Sequence, residues 1–151
     1  MKAADVEAHT RISAILGGAL EQEIEALGKY GRLLGTIIIL RDDWIDMINF
    51  SESRQRIKRE CLPLPVLFAL QKSQVKQLLE DLLSKKDLST KDARAILSIV
   101  NKVGGIKRYR ELINRLEKDA LRSLGYIRKV SDLKLLVRAM LPPTERTVEF
   151  T

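Results

Sequence analysis

Three aspartates crowd into the stretch LLGTIIILRDDWIDM, residues 33 to 47, at Asp42, Asp43 and Asp46. On a helix turning about 100° per residue they fall at roughly 0°, 100° and 40°, so the three carboxylates share one side and can converge. Like charges held that close call for a counter-charge, and a hard divalent cation that accepts oxygen ligands supplies one. Magnesium suits a cluster that shares its ion with phosphate oxygens, because it keeps several waters and takes only one or two protein carboxylates. Two other readings of the same residues stand beside this one. One is a solvated acidic face; the other is a surface ion-pair network in which Arg41 neutralises an aspartate and stabilises little. The context favours an inward-facing cluster, since a solvated face does not usually follow the run GTIIIL and carry Trp44, Ile45, Met47 and Ile48 on its other side.

Helices must position these carboxylates. Val6, Ile12, Ala14, Ile15, Ala19, Ile24 and Leu27 recur at near-helical spacing and predict a first helix from Val6 to Ala26, with Gly17 and Gly18 permitting a close neighbour. A second, largely buried helix follows from Ala26 to Ile48. Its Gly31 and Gly35 share a face, where each weakens the helix by about 1 kcal/mol relative to alanine unless close backbone packing compensates. The break NFSES offers Ser51 or Ser53 as a cap before the basic turn RQRIKRE. Pro63 and Pro65 then start a short apolar helix near Leu64. Further helices are expected at about Gln74 to Ser84, Thr90 to Lys102, Ile106 to Arg128 and Asp132 to Met140. Ser89 or Thr90 caps one of them and Ser131 the last, while Gly104 and Gly105 separate two. The ending PPTERTVEFT has lost the periodicity and reads as a frayed tail. No strand pattern, internal repeat or linker holds up, so the expectation is one all-α domain over residues 1–141 and a tail over 142–151.

Composition agrees with that architecture. A chain of 151 residues that is 45% hydrophobic and only 5% aromatic can bury one core, and its Leu, Ile, Ala, Lys, Arg and Glu favour helices. The single cysteine, Cys61, excludes an internal disulfide and a multi-cysteine zinc site, and the single histidine, His9, has no second histidine for a metal. No segment resembles a signal peptide or approaches the length of a membrane span, so a soluble, cytoplasmic chain is expected. A net charge of +7 and a pI near 9.7 point to an anionic partner without choosing among diphosphates, nucleic acid and lipid. Nucleic acid would draw on Lys107, Arg108, Arg110, Arg115, Lys118, Arg122, Arg128 and Lys129. These are interleaved with Glu111, Glu117 and Asp119, the pattern of a solvated helix face, so no nucleic-acid partner is expected.

The stretch GKYGRLLGTIIILRDDWIDMI resembles the second aspartate-rich region of the trans-isoprenyl diphosphate synthases, whose pattern is a glycine pair, a Phe-Gln step and then D-D-x-x-D. LPLPVLFAL is similar to the helix start that follows it in that family, AILGGALE to the small-residue helix before it, and VNKVGGIKRYRE to a later glycine-containing junction. The resemblance runs from about Lys2 to Met140. It implies a helical bundle corresponding to the C-terminal half of the isoprenoid synthase fold, and a prenyltransferase-type enzyme. In that family Mg²⁺, held by two aspartate-rich motifs on facing helices, grips an allylic diphosphate and neutralises it as it departs, and a homoallylic unit, isopentenyl diphosphate, then condenses with the cation. Carried over by position, Asp42 and Asp46 reach the metal and Asp43 ligates it or holds it through water, so Asp42 and Asp43 are the catalytic pair.

The chain also departs from the family. Only about thirty residues precede the apolar run that leads into the aspartates, and none resembles the first aspartate-rich motif. Ile38-Ile39 replaces Phe-Gln, which removes the glutamine amide. The Gly-Lys loop is shortened to NFSESRQRIKRE, where Lys58 and Arg59, or Arg54 and Arg56, are the cations available to a diphosphate. Lys2 carries little weight as a ligand. Half a fold exposes half a core, and the expected exposed patch spans Thr36 to Leu40 and Val66 to Leu70. A second chain supplying the missing half, or self-association, would cover it, and the chain alone would be inactive. The rival expectations are a noncatalytic subunit of a complete synthase, a terpene cyclase, whose chemistry also ionises a diphosphate, and the basic nucleic-acid binder.

Overall fold

Strong helix formers dominate the chain, and the computed structural model is all-α throughout the residues it describes, 2–49 and 62–143. In order these are α1 (Lys2–Leu16), α2 (Glu21–Ile48), α3 (Leu64–Leu70), α4 (Ser73–Leu83), α5 (Thr90–Lys102), α6 (Gly105–Ser123), a 3-10 turn (Leu124–Tyr126) and α7 (Ser131–Ala139). The caps expected at Ser51 and Ser53, the cations Arg54, Arg56, Lys58 and Arg59, Cys61, and the tail from Thr144 onward lie outside the described residues. No described helix is long and apolar enough to cross a membrane. The helices divide into two compact units, whose boundaries fall within α2 and within α6.

The first unit holds residues 2–41 and 113–142. Here α2 works with two adjacent faces. Leu27, Tyr30, Leu34 and Ile37 repeat at helical spacing and form its core with Ala120, Leu124 and Val137. The Tyr30 hydroxyl is not wasted by burial, because it donates to the Leu133 carbonyl at 2.8 Å, and burial pushes its pKa up to about 12. The neighbouring face carries Gly31 and Gly35 and meets α1 almost backbone to backbone. A Cβ on Gly31 would collide with Thr10 Oγ1 and stand 2.8 Å from the Val6 carbonyl oxygen, and one on Gly35 would lie 2.6 Å from Ala3 Cα. Close packing therefore does offset the glycine propensity cost, as the spacing implied. Ions tie the same helix pair: Glu7 accepts from both Arg11 and Arg32, and Arg11 also pairs with Glu25 at 2.5 Å. The Arg11 and Arg32 hydrogen bonds hold the Glu7 carboxyl below its ordinary range.

The second unit holds residues 42–49 and 62–112 of the described chain. Helices α3, α4 and α5 pack on one another. The α5 helix buries Ala93, Ile96, Leu97 and Val100, an i, i+3, i+4, i+7 stripe. A capping box starts it: Ser89 Oγ accepts the Asp92 N–H at 3.1 Å, and Asp92 Oδ2 accepts the Ser89 N–H at 2.9 Å. Lys85 Nζ donates to Asp92 Oδ1 at 2.6 Å, and this bond, followed by the Ser89 hydrogen bonds, holds the Asp92 carboxyl well below the usual carboxylate range. Gly104, with φ of 81°, reverses the chain between α5 and α6.

Four sequence expectations need correcting. The helix expected from Ile106 to Arg128 runs from Gly105 to Ser123 and gives way to the 3-10 turn at Leu124–Tyr126. The first helix ends at Leu16, because Gly17 and Gly18 form a turn with φ of 71° at Gly18, and α2 starts at Glu21 where Glu23 Oε2 accepts the Leu20 N–H at 2.9 Å. Ser131 is not the cap of α7; Val130 occupies that position with no side-chain bond, and Ser131 lies inside the helix. The apolar segments expected to face water are only partly exposed: Ile37, Val66 and Ala69 are buried, Thr36, Ile38, Leu40, Phe68 and Leu70 half-buried, and Ile39 (39%) and Leu67 (41%) exposed. The prominent exposed aliphatics lie elsewhere, on α1 and the turn after it.

Two outcomes follow from this packing. Gly31→Ala is expected to lower the unfolding free energy by about 1–3 kcal/mol in urea titrations, because its methyl forces the α1–α2 backbones apart. Gly125→Ala, where an added Cβ would meet nothing within 4 Å, leaves the midpoint unchanged. The depressed Asp92 carboxyl contributes stability above its unfolded pKa, and that stability is lost as pH falls through the lower folded value. Asp92→Asn should therefore lower Tm at neutral pH, with the gap from the native protein narrowing as pH drops below about 4.

Candidate functional site

The acidic cluster occupies the last two turns of α2, within the second unit. Its helix register is legible in burial. Trp44 and Met47 are buried, Ile45 is exposed, and Asp42, Asp43 and Asp46 are all half-buried. The apolar side is anchored by a long-range contact that no local pattern announces: the Trp44 ring stacks on Tyr109 of α6, with centroids 5.3 Å apart and planes 15° from parallel. Burial raises the Tyr109 pKa, and the nearby Asp43 charge raises it further.

Asp43 has a second task. Its Oδ2 accepts the Leu64 N–H at 2.9 Å, at the first turn of α3. That helix begins after Pro63 with no side-chain cap of its own, so the carboxylate from α2 satisfies one of its orphan donors and meets the positive end of its dipole. The α3 turn is in turn held by α6, since a Cβ on Gly105 would stand 2.6 Å from the Pro65 carbonyl oxygen. Asp43 thus links α2 to α3 beside the Trp44–Tyr109 stack.

Asp42 and Asp46 stand one helical turn apart, the spacing at which two side chains of a helix meet. Among the described residues, no three His, Cys, Asp or Glu side chains are gathered closely enough to hold a metal ion. As placed among the described residues, the three carboxylates are not a preformed cage. That donor set still fits Mg²⁺, which takes one or two carboxylates and completes its shell with water and phosphate oxygens. Arg41, the other candidate partner, directs Nη1 to the Met140 thioether at 3.6 Å, within the first unit, and its Nε is buried without a hydrogen-bond partner. Lys58 and Arg59 are outside the described residues. Sequence reasoning missed Tyr109 and Leu64, whose only local signals were a tyrosine on the apolar side of α6 and a proline-flanked helix start.

No family model matches the chain. In sequence, it is 43% identical over 51 residues to the short chain isoprenyl diphosphate synthase of Methanothermobacter thermautotrophicus, a match covering 34% of this chain and 16% of the relative. It is 48% identical over 50 residues to the chloroplastic geranylfarnesyl diphosphate synthase of Leucosceptrum canum, covering 33% of this chain and 14% of the relative. In structure, it superposes on the Corynebacterium glutamicum geranylgeranyl pyrophosphate synthase solved with calcium and isoprenyl diphosphate, with a TM-score of 0.70 and 24% identity over 86% of this chain and 42% of that one. The Rhodobacter capsulatus decaprenyl diphosphate synthase gives a TM-score of 0.70 and 23% identity, over 89% of this chain and 42% of that one. The chain thus spans well under half the length of these synthases. It is similar to part of a trans-isoprenyl diphosphate synthase, in sequence across about a third of its length and in fold across most of it.

Proposed function

We propose that this chain is the half of a prenyltransferase-type isoprenoid diphosphate synthase that carries the second aspartate-rich motif, binding Mg²⁺ and an allylic diphosphate. The observation that carries the reading is the sequence D-D-x-x-D, half-buried at the end of α2, in a fold whose solved neighbours include a synthase bound to a divalent cation and an isoprenyl diphosphate. Asp42 and Asp46 supply the metal ligands. Asp43 acts mainly as a positioning residue, holding the α3 start against α2 so that the other two carboxylates keep their register. The bound cation would supply Lewis-acid stabilisation of the departing diphosphate, the step that readies the allylic carbon for isopentenyl diphosphate. Lys58 and Arg59 are the cations we assign to the diphosphate itself. The remaining ligands and the rest of the substrate cavity come from a second chain or from further residues of a longer one, so the chain alone does not turn over. The reading also takes the cytoplasm as the compartment, in keeping with one unpaired cysteine.

A noncatalytic subunit is the second reading, favoured by the absence of a three-carboxylate group among the described residues. Calorimetric titration of Mg²⁺ in the presence of inorganic diphosphate separates the two. The catalytic reading expects saturable binding that Asp42→Ala and Asp46→Ala each weaken by at least about tenfold. Binding that is absent in the native chain, or indifferent to both substitutions, leaves only the noncatalytic subunit.

Asp43 should behave differently. Asp43→Ala removes the acceptor for the Leu64 N–H and is expected to cost about 1–2 kcal/mol of stability in urea titrations. Asp43→Asn, which still accepts that hydrogen bond, recovers most of the loss and keeps Mg²⁺ affinity within about threefold of native. An Asn variant that loses metal as fully as Asp42→Ala would make Asp43 a direct ligand instead.

A further inference from the structure

The guanidinium of Arg41 is held in a setting that costs energy. It is half-buried at the end of the first unit's share of α2, and its Nε is buried with no hydrogen-bond partner. A buried donor of a charged group left without an acceptor is destabilising, so its retention calls for a reason. The acceptor that Arg41 does reach is a weak one: Nη1 donates to the Met140 thioether sulfur at 3.6 Å, within the same unit. Met140 closes α7, where its N–H donates to the Leu136 and Val137 carbonyls, and its half-buried side chain packs against the core of Tyr30, Leu34 and Ile37. Met47, on α2, is only 2% exposed. Of these two methionines, Met140 is the one that solvent reaches, and a cation stands beside its sulfur.

We propose that Met140 is a site of reversible oxidation by hydroperoxides, and that Arg41 is the group that receives its sulfoxide. In that step the sulfur lone pair attacks the terminal peroxide oxygen, the S–O bond forms and the O–O bond breaks. The proton on the transferred oxygen passes to the departing oxygen, which leaves as water or an alcohol. Sulfur loses two electrons and the peroxide gains them. A sulfoxide ordinarily disrupts an apolar contact, because it sets a strongly polar oxygen where a thioether packed. Here the new oxygen lies within reach of Nη1, and a weak N–H···S contact becomes a charge-assisted N–H···O bond. The guanidinium gains a full-strength acceptor, and the sulfoxide oxygen is not left unpaired. Oxidation therefore leaves the first unit folded, in a form that a methionine sulfoxide reductase, drawing two electrons from a thiol reductant, returns to the thioether with release of water. This inference does not rest on the function proposed above, since Asp42, Asp43 and Asp46 belong to the second unit.

The test exposes the full chain to dilute hydrogen peroxide and follows it by peptide mass mapping and thermal denaturation. Met140 is expected to gain one oxygen at least about tenfold faster than the buried Met47. Protein oxidised at Met140 should keep its Tm within about 2 °C of the reduced form, and reductase treatment should remove the oxygen. In Arg41→Leu the same oxidation should lower Tm by about 5 °C or more, because the sulfoxide then lacks its donor. The double variant Arg41→Leu, Met140→Leu should show no such drop, which separates the effect from oxidation of Cys61 or Met1. Should Arg41→Leu fail to fold, two substitutions in the native background decide the matter. Met140→Gln brings a carbonyl oxygen to the guanidinium without any oxidant, and should melt at or above the temperature of Met140→Leu. Equal oxidation of Met47 and Met140, a native Tm that falls on oxidation as far as that of Arg41→Leu, or a Met140→Gln that melts below Met140→Leu would each overturn the proposal.

Discussion

Helical phase along α2 is the constraint on which the rest depends. Over 28 residues one uninterrupted helix presents glycines to α1, a Leu-Tyr-Leu-Ile row to the core of the first unit, and in its last turns Trp44 to Tyr109 with three aspartates on other sides. Each set works only at its own angle about the axis. Within either unit, a one-residue shift turns the helix by about 100°, which would put Asp43 or Ile45 where Trp44 packs, or Tyr30 or Arg32 where Gly31 meets Thr10. No proline or bulge interrupts α2 to absorb such an error, and Gly31 and Gly35, which would weaken an isolated helix, are held by the backbone that lies against them.

Asp43 shows how a motif read as one chemical unit divides once long-range partners are known. The helical wheel counts three equivalent carboxylates. The fold gives one of them a donor from a helix that begins 21 residues later, and that donor is one of the first-turn N–H groups a short helix cannot satisfy internally. A carboxylate there is favoured twice, by the hydrogen bond and by the helix dipole, whether or not a metal is bound. Under the function proposed above, this contact would fix the α3 start against the end of α2 before any cation arrives.

Much of the fold was legible because its signals are local. The Gly31–Gly35 spacing, the Ser89–Asp92 capping box, the Pro63-Pro65 helix start and the amphipathic stripe of α5 each lie within a few residues of what they determine. The errors came where locality ends. Near-helical apolar spacing continues past Gly17 and Gly18, so periodicity carried the first helix on to Ala26, whereas the turn with positive φ at Gly18 ends it at Leu16. Burial at Ile37 and Val66 depends on elements far along the chain, as do the Trp44–Tyr109 stack and the Leu64 donor. Periodicity states which face of a helix is apolar and is silent on what covers it. The exposed edge of α1 belongs to the same class: its residues read as one more core face, and their exposure appears only when the other side of the helix is found already occupied.

The geometry at the end of α2 bears directly on the chemistry proposed for it. Ionising an allylic diphosphate, the step proposed above, would place a departing inorganic diphosphate polyanion beside a carbocation, and the stabilisation such a step needs is delivered by preorganised charge in a site from which water is excluded. Two carboxylates one turn apart on a single helix can fix one side of a cation, but they neither enclose a substrate nor complete its coordination.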